Sequence, residues 1–84
     1  MTYFVYLIIS KVKKKTISYV GYTNNLEKRI KLHNSNKGAK FTKGKKWKLA
    51  YYETYMRKNE AMKNEYTLKK NYKLRNLLKQ EKLI

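Results

Sequence analysis

Cysteine, proline and aspartate are all missing from this chain of 84 residues, and it has only three glycines, one tryptophan and one histidine. Without thiols there is neither a disulfide framework nor a thiolate metal site. Without proline there is no cis-proline turn and no Pro-rich linker. A long apolar run is missing too. The longest, "YFVYLII" from Tyr3 to Ile9, falls far short of the roughly 20 residues a spanning helix needs. No cationic segment precedes it and no small-residue cleavage site follows, so it does not read as a signal peptide. Neither membrane insertion nor a small-molecule cofactor is expected, and a cytoplasmic location is.

What is present is positive charge. Twenty-two Lys and Arg stand against five carboxylates, all glutamates, for a formal net charge of +17. Such a balance says nothing about fold but points to polyanionic partners, nucleic acid above all. A compositional bias toward Lys, Asn, Ile and Tyr accounts for part of it, but not for the loss of every aspartate. A chain of this length makes one domain, here taken as 1–84, with room for a single modest core. Nine tyrosines must share the apolar packing with Leu, Ile and Val. Oligomeric state is open.

The periodicities give the order strand, strand, helix, strand, helix, helix. Tyr3 to Ile9 is β-branched and aromatic, and reads as a central strand covered on both faces. "SKVKKKT", Ser10 to Thr16, reads as a basic connection to a second antiparallel strand through Tyr19 and Val20 that stops at Gly21. "NNLEKRIKLHN" reads as a helix with Asn24 as N-cap and Glu27 closing an approximate capping box. Ser35 to Lys46 is a polar loop, and Trp47 to Tyr55 a third strand. From about Arg57 the chain is helical and free of glycine, broken near "KKNYK", with residues 73–84 as a C-terminal helix. The expected fold is α+β: a small three-stranded antiparallel sheet flanked by helices.

Three sets of residues sit where their chemistry is unexpected. Glu65 shares a helical stripe with Ala61, Leu68 and Tyr72, and a carboxylate on a core-facing stripe is either paired at a boundary or a ligand. His33 lies on the inner side of the first helix with Leu26 and Ile30. It reads either as a hydrogen-bonded core histidine or, with Arg29 four residues earlier, as half of a phosphate-facing pair. Tyr6 and Tyr19 can meet on one sheet face near the start of that helix, where anions are favoured. Ordinary core packing is the competing reading.

Together these pieces resemble the GIY-YIG nuclease family, in particular its small stand-alone members, from about residue 3 to the mid-seventies. "FVY" (Phe4–Tyr6) corresponds to the first motif, with Phe4 replacing the glycine, and "YVG" (Tyr19–Gly21) to the second. "LEKRIKLHN" carries Arg29 and His33, "GAKFTKGKKWKLAYYE" resembles the loop and third strand, and "NEAMKNEYTLKK" carries the metal-binding glutamate. The resemblance implies a metal-dependent endonuclease that hydrolyses phosphodiester bonds, in DNA rather than RNA, in repair or recombination. It also implies Mg²⁺ or Mn²⁺ on Glu65, a phenol of Tyr6 or Tyr19 taking a proton from water, Arg29 on phosphate and His33 orienting the second tyrosine. Asn71 and Asn76 are candidates for a downstream family asparagine. Gly21 would leave room for a phosphate, and Lys37, Lys40, Lys43, Lys45 and Lys46 would hold the backbone. Two other readings stand beside this one: a basic nucleic-acid-binding module with an inactive nuclease site, and a structural RNA-associated protein that rests on charge alone.

Overall fold

The computed structural model describes residues 1–83, the side chains of 81–83 excepted. β1 (Tyr3–Val12), β2 (Lys15–Thr23), α1 (Leu26–Asn34), a 3₁₀ turn (Lys40–Thr42), β3 (Lys48–Tyr55), α2 (Lys58–Lys70) and α3 (Tyr72–Leu83) follow in order. The strands form one antiparallel sheet in the order β2-β1-β3. This is the expected α+β arrangement, and Ile84, at the end of the expected last helix, lies outside the described residues.

β1 is central, and its apolar run is buried from Val5 to Ile9 because both faces are covered. On one face Val5, Leu7 and Ile9 join Val20, Ala50, Ala61, Leu68 and Leu78, so α2 and α3 pack there. On the other, Tyr6 and Ile8 join Trp47, with Ile17, Tyr19, Leu26, Ile30 and Leu49 around them, so α1 packs there. The alternation of side chains along one strand thus feeds two separate clusters. A bulge between Leu7 and Ile8 lets β3 place both Ala50 and Tyr51 opposite the first cluster.

Several boundaries differ from the sequence reading. "SKVKKKT" is mostly strand: Val12 pairs with Lys15, leaving a two-residue turn whose first residue, Lys13, has φ 57°. Hairpin turns of this length ask for positive φ, which lysine adopts at a cost, so no turn signal marked it. β2 does not stop at Gly21 but pairs on through Thr23. Asn25, not Asn24, caps α1, accepting from the amide of Lys28 at 3.1 Å. Glu27 is exposed and faces Lys31 at 3.5 Å instead of closing a box. The break near "KKNYK" falls at Asn71, which ends α2 and whose side chain accepts from Leu74 N–H at 3.1 Å to start α3. Tyr72 therefore does not extend the Ala61 stripe and is largely exposed. Arg75 of α3 binds Ser18 Oγ through Nε (3.0 Å) and Nη2 (2.7 Å), and the carbonyl of Lys69 through Nη1 (2.8 Å). A sheet edge carries unpaired backbone groups, and this guanidinium covers part of the β2 edge.

Candidate functional site

The site is built around the hydroxyl of Tyr6, which is almost wholly buried. Tyr6 faces Gly21 across the β1–β2 ladder, and a Cβ at Gly21 would stand 2.7 Å from Tyr6 Cζ. The glycine therefore makes room for the phenol.

The Tyr6 hydroxyl meets His33 Nε2 at 2.7 Å. His33 has no exposed surface, and its Nδ1 lies 2.9 Å from Thr42 Oγ1. Thr42 donates its own hydrogen to the carbonyl of Ala39 at 2.9 Å and accepts the Ala39 N–H at 3.1 Å. A hydroxyl has one hydrogen and two lone pairs. The remaining acceptor site of Thr42 thus fixes the hydrogen of His33 on Nδ1 and leaves Nε2 to accept from Tyr6. Gly38 closes the pocket: a Cβ there would stand 2.9 Å from His33 Cα. The lone histidine is a hydrogen-bonded core residue that holds the Tyr6 hydroxyl and touches the Tyr19 ring.

Burial sets the protonation of this pair. It is the largest cause pulling the His33 pKa down to about 4, and the charge of Arg29 adds to it. Burial also pushes the Tyr6 phenol up to about 12, against the pull of a hydrogen bond and the charge from Arg29, while Tyr19 and Glu65 raise it further. His33 thus touches both Tyr6 and Tyr19, beside a phenol that holds its proton.

Tyr19 lies on the same sheet face, half-buried, with its ring edge-on to His33 at 5.2 Å. The two phenols gather at the last turn of α1, where His33 sits, and not at its N-terminus. Arg29 is half-buried and lines a polar cleft with Tyr3, Tyr22, Thr23, Asn24 and Lys58. Glu65 sits at the rim of the core, its side chain 19% exposed, with Lys69 Nζ at 3.4 Å. This is the paired boundary geometry, and the carboxylate still reaches solvent. Among the described residues, no three His, Cys, Asp or Glu side chains come together as a metal site, and no helix is long and apolar enough to cross a membrane. Asn71 serves as a cap, as described above, and Asn76 is exposed.

The loop after α1 is pinned to the site. Asn34 Nδ2 donates to the carbonyl of Trp47 at 3.1 Å while its Oδ1 accepts the Trp47 N–H. The Asn36 side chain accepts from Gly44 N–H at 2.7 Å, and Trp47 Nε1 donates to the carbonyl of Thr42 at 3.0 Å. Lys37, Lys40, Lys43 and Lys46 point outward from this fixed frame, and Lys45 is half-buried. The sequence reading missed Thr42, Gly38, Asn34 and Phe41. All four except Asn34 lie in a stretch with no periodicity, where a polar loop and a structured one look alike.

A three-stranded antiparallel sheet flanked by helices in the order β-β-α-β-α-α is a GIY-YIG-like fold. The family model described as "GIY-YIG catalytic domain" matches residues 2–79, and the chain belongs to that family. Its sequence is similar to a UPF0213 protein of Clostridium perfringens, 50% identical over 66 residues, covering 77% of this chain and 70% of that protein. A UPF0213 protein of Bacillus licheniformis is 55% identical over 53 residues, 62% of this chain and 55% of that one. The solution NMR structure of a UPF0213 protein from Bacillus halodurans matches 93% of this chain and 83% of its own, at 37% identity and a TM-score of 0.50.

Proposed function

We propose that this chain is a nucleic-acid-binding domain that holds a phosphodiester backbone between the 37–46 loop and the Tyr19–Arg29 rim. The observation that carries the reading is the rigid presentation of Lys37, Lys40, Lys43 and Lys46 from a loop clamped at Asn34, Asn36 and Thr42, in a chain of net charge +17. Phosphate contacts of this kind position a protein without reading sequence. DNA is the expected partner before RNA.

A second reading, metal-dependent phosphodiester hydrolysis, is favoured by the contact of His33 with both Tyr6 and Tyr19 and by the charges of Arg29 and Glu65, which act on the Tyr6 phenol. The donor set fits a water-rich Mg²⁺ or Mn²⁺: magnesium usually takes only one or two carboxylates, and Glu65 offers one that reaches solvent at the core rim. A bound ion there would stabilise negative charge on the leaving oxygen. The residues themselves would divide the remaining work. Arg29 would bind a phosphate through two parallel hydrogen bonds. Tyr6 is committed as a donor to His33 with its phenol pushed up to about 12, so the less buried Tyr19 is the better placed phenol to meet an attacking water. The resting site holds a protonated Tyr6 and a neutral His33, and this is why binding leads and hydrolysis follows in the proposal.

Plasmid, branched DNA and RNA, each incubated with purified protein in Mg²⁺, Mn²⁺ or EDTA, separate the readings. Retention in gel shifts with no cleavage supports the binding domain. Metal-dependent cleavage that is lost in Glu65→Gln supports hydrolysis. Failure to retain any nucleic acid at low salt overturns both.

A further inference from the structure

The two lysine-rich segments, distant in sequence, face each other across one groove. Lys13–Lys15 of the first hairpin and Lys45 of the loop line it together with Val12, Ile17 and Phe41, in a space of about 740 Å³. No carboxylate lines it. Phe41 is 52% exposed, although an aromatic ring in so polar a loop has no need to reach solvent for packing alone. One of its faces lies nearly parallel to the ring of Tyr19, at 6.2 Å between centroids and 19° between planes. Lys45 Nζ donates to the carbonyl of Phe41 at 2.9 Å and stands over its ring, 5.1 Å from the centre, so a base that stacks on Phe41 would displace this ammonium toward its own phosphate.

An apolar groove with an exposed aromatic, lined by lysines and free of acids, matches a nucleotide: a π-face to stack and a phosphate to neutralise. It does not match a base pair inside a duplex, which offers only edges in the grooves. Nor does the ring project as a membrane wedge would, since it is laid against Tyr19. We propose that the Phe41 groove is a stacking site for an unpaired base of single-stranded nucleic acid, whose phosphates run along Lys13–Lys15 and Lys45 toward Tyr19. The proposal rests on the nucleic-acid reading above and adds the substrate class.

The test measures binding of a fluorescent oligothymidylate of about 12 nucleotides, and of a duplex of equal length, to the full chain in EDTA, so that cleavage plays no part. Phe41→Ala and Phe41→Leu should each weaken the single strand by about tenfold or more and the duplex by less than about twofold, with Phe41→Tyr close to the parent. Leucine keeps apolar bulk but offers no π-face, and melting curves confirm that each variant is folded. A single strand made entirely of abasic units should bind the parent as weakly as oligothymidylate binds Phe41→Ala. Equal losses on both nucleic acids, or no loss on either, overturn the stacking site and leave the binding domain standing. A Phe41→Ala defect seen on phosphatidylserine vesicles but not on the oligonucleotide overturns it in favour of a lipid surface. If the parent binds neither nucleic acid, the underlying reading falls with it.

Discussion

Tyr6 donates its phenolic hydrogen to Nε2 of His33 at 2.7 Å, and both side chains are out of solvent. The pair is therefore a stability element before it is anything else, and pH reveals it. The folded His33 titrates near 4 against an ordinary 6.5. Below about 6.5 the unfolded chain binds a proton that the folded chain refuses, so stability falls as pH drops from about 6.5 to about 4. The full loss is on the order of 3 kcal/mol. Tyr6, raised to about 12, acts at the other end, where its contribution is present below pH 10 and lost as pH rises toward 12. Urea melts at pH 7.0, 5.5 and 4.5 on the parent and on His33→Gln check the acid limb. The parent should lose stability steeply across this range and the variant much less. Parallel slopes would mean that His33 titrates normally.

Gly38 and Gly21 hold that pair in place by having no side chain. In Gly38→Ala the new methyl would meet the His33 ring and stand 2.9 Å from its Cα, and that backbone atom cannot swing away. Overpacking a tight core costs about 1–3 kcal/mol, and the upper end is expected here. Gly21→Ala, against the ring of Tyr6, should fall in the same range. Gly44, with φ 74° and nothing within 4 Å, is a control in which only backbone strain is tested. Thermal melts rank the three, and an unperturbed Gly38→Ala would show that the histidine is not packed as described.

The sheet was legible because "YFVYLII" is β-branched and aromatic throughout, as a strand covered on both faces requires, and the α2–α3 break was legible to within "KKNYK", although the stripe ran one residue too far, to Tyr72. That Tyr6 and Tyr19 share one sheet face also followed from strand alternation. What escaped were contacts that no local pattern encodes. Thr42 bonds His33 from nine residues away across an aperiodic loop. Lys13 holds a hairpin turn that composition assigns to glycine or asparagine. Gly21 looked like an opening because a missing side chain says only that something comes close, and here it is Tyr6. Glu65 was ambiguous from the stripe, and in the fold it stands at the core rim, 3.4 Å from Lys69 Nζ.

The two motif tyrosines should separate under mutation. Tyr6→Phe leaves a buried Nε2 on His33 without its donor, which costs about 1–3 kcal/mol. The hydroxyl of half-buried Tyr19 accepts and donates no protein hydrogen bond among the described residues, so Tyr19→Phe should change stability by about 0.5 kcal/mol or less. If the hydrolytic reading holds, the order reverses in activity, with Tyr19→Phe losing about 10²-fold or more in rate. Denaturant melts and single-turnover cleavage in Mg²⁺ give the two orders. A Tyr19→Phe variant that cleaves at the parent rate would remove Tyr19 from the chemistry.

Lys13 offers a case where stability and binding should move in opposite directions. Its φ of 57° costs a lysine about 1 kcal/mol, and glycine adopts it freely. Lys13→Gly should raise stability by up to about 1 kcal/mol and remove one phosphate contact. A variant that melts higher yet binds oligonucleotide more weakly would meet both expectations. One that melts lower would show that the turn is not strained.

The backbone cradle makes a last prediction, on salt. Lys40, Lys43 and Lys46 are exposed on a loop held rigid at Asn34 and Thr42, so each can neutralise a phosphate without an ordering cost in the main chain. Counterions released from the nucleic acid make log affinity fall linearly with log salt, by about 0.7 to 0.9 per phosphate contacted. Replacing the three lysines with Gln should flatten the slope by about 2 to 3 units and weaken every sequence alike, since phosphate contacts carry no base information. Fluorescence anisotropy at several salt concentrations in EDTA measures it, with Lys63, Lys69 and Lys73 on α2 and α3 changed together as a matched-charge control. If that control flattens the slope as much as the loop variant does, the attraction belongs to the net charge of the chain and the loop is not a cradle.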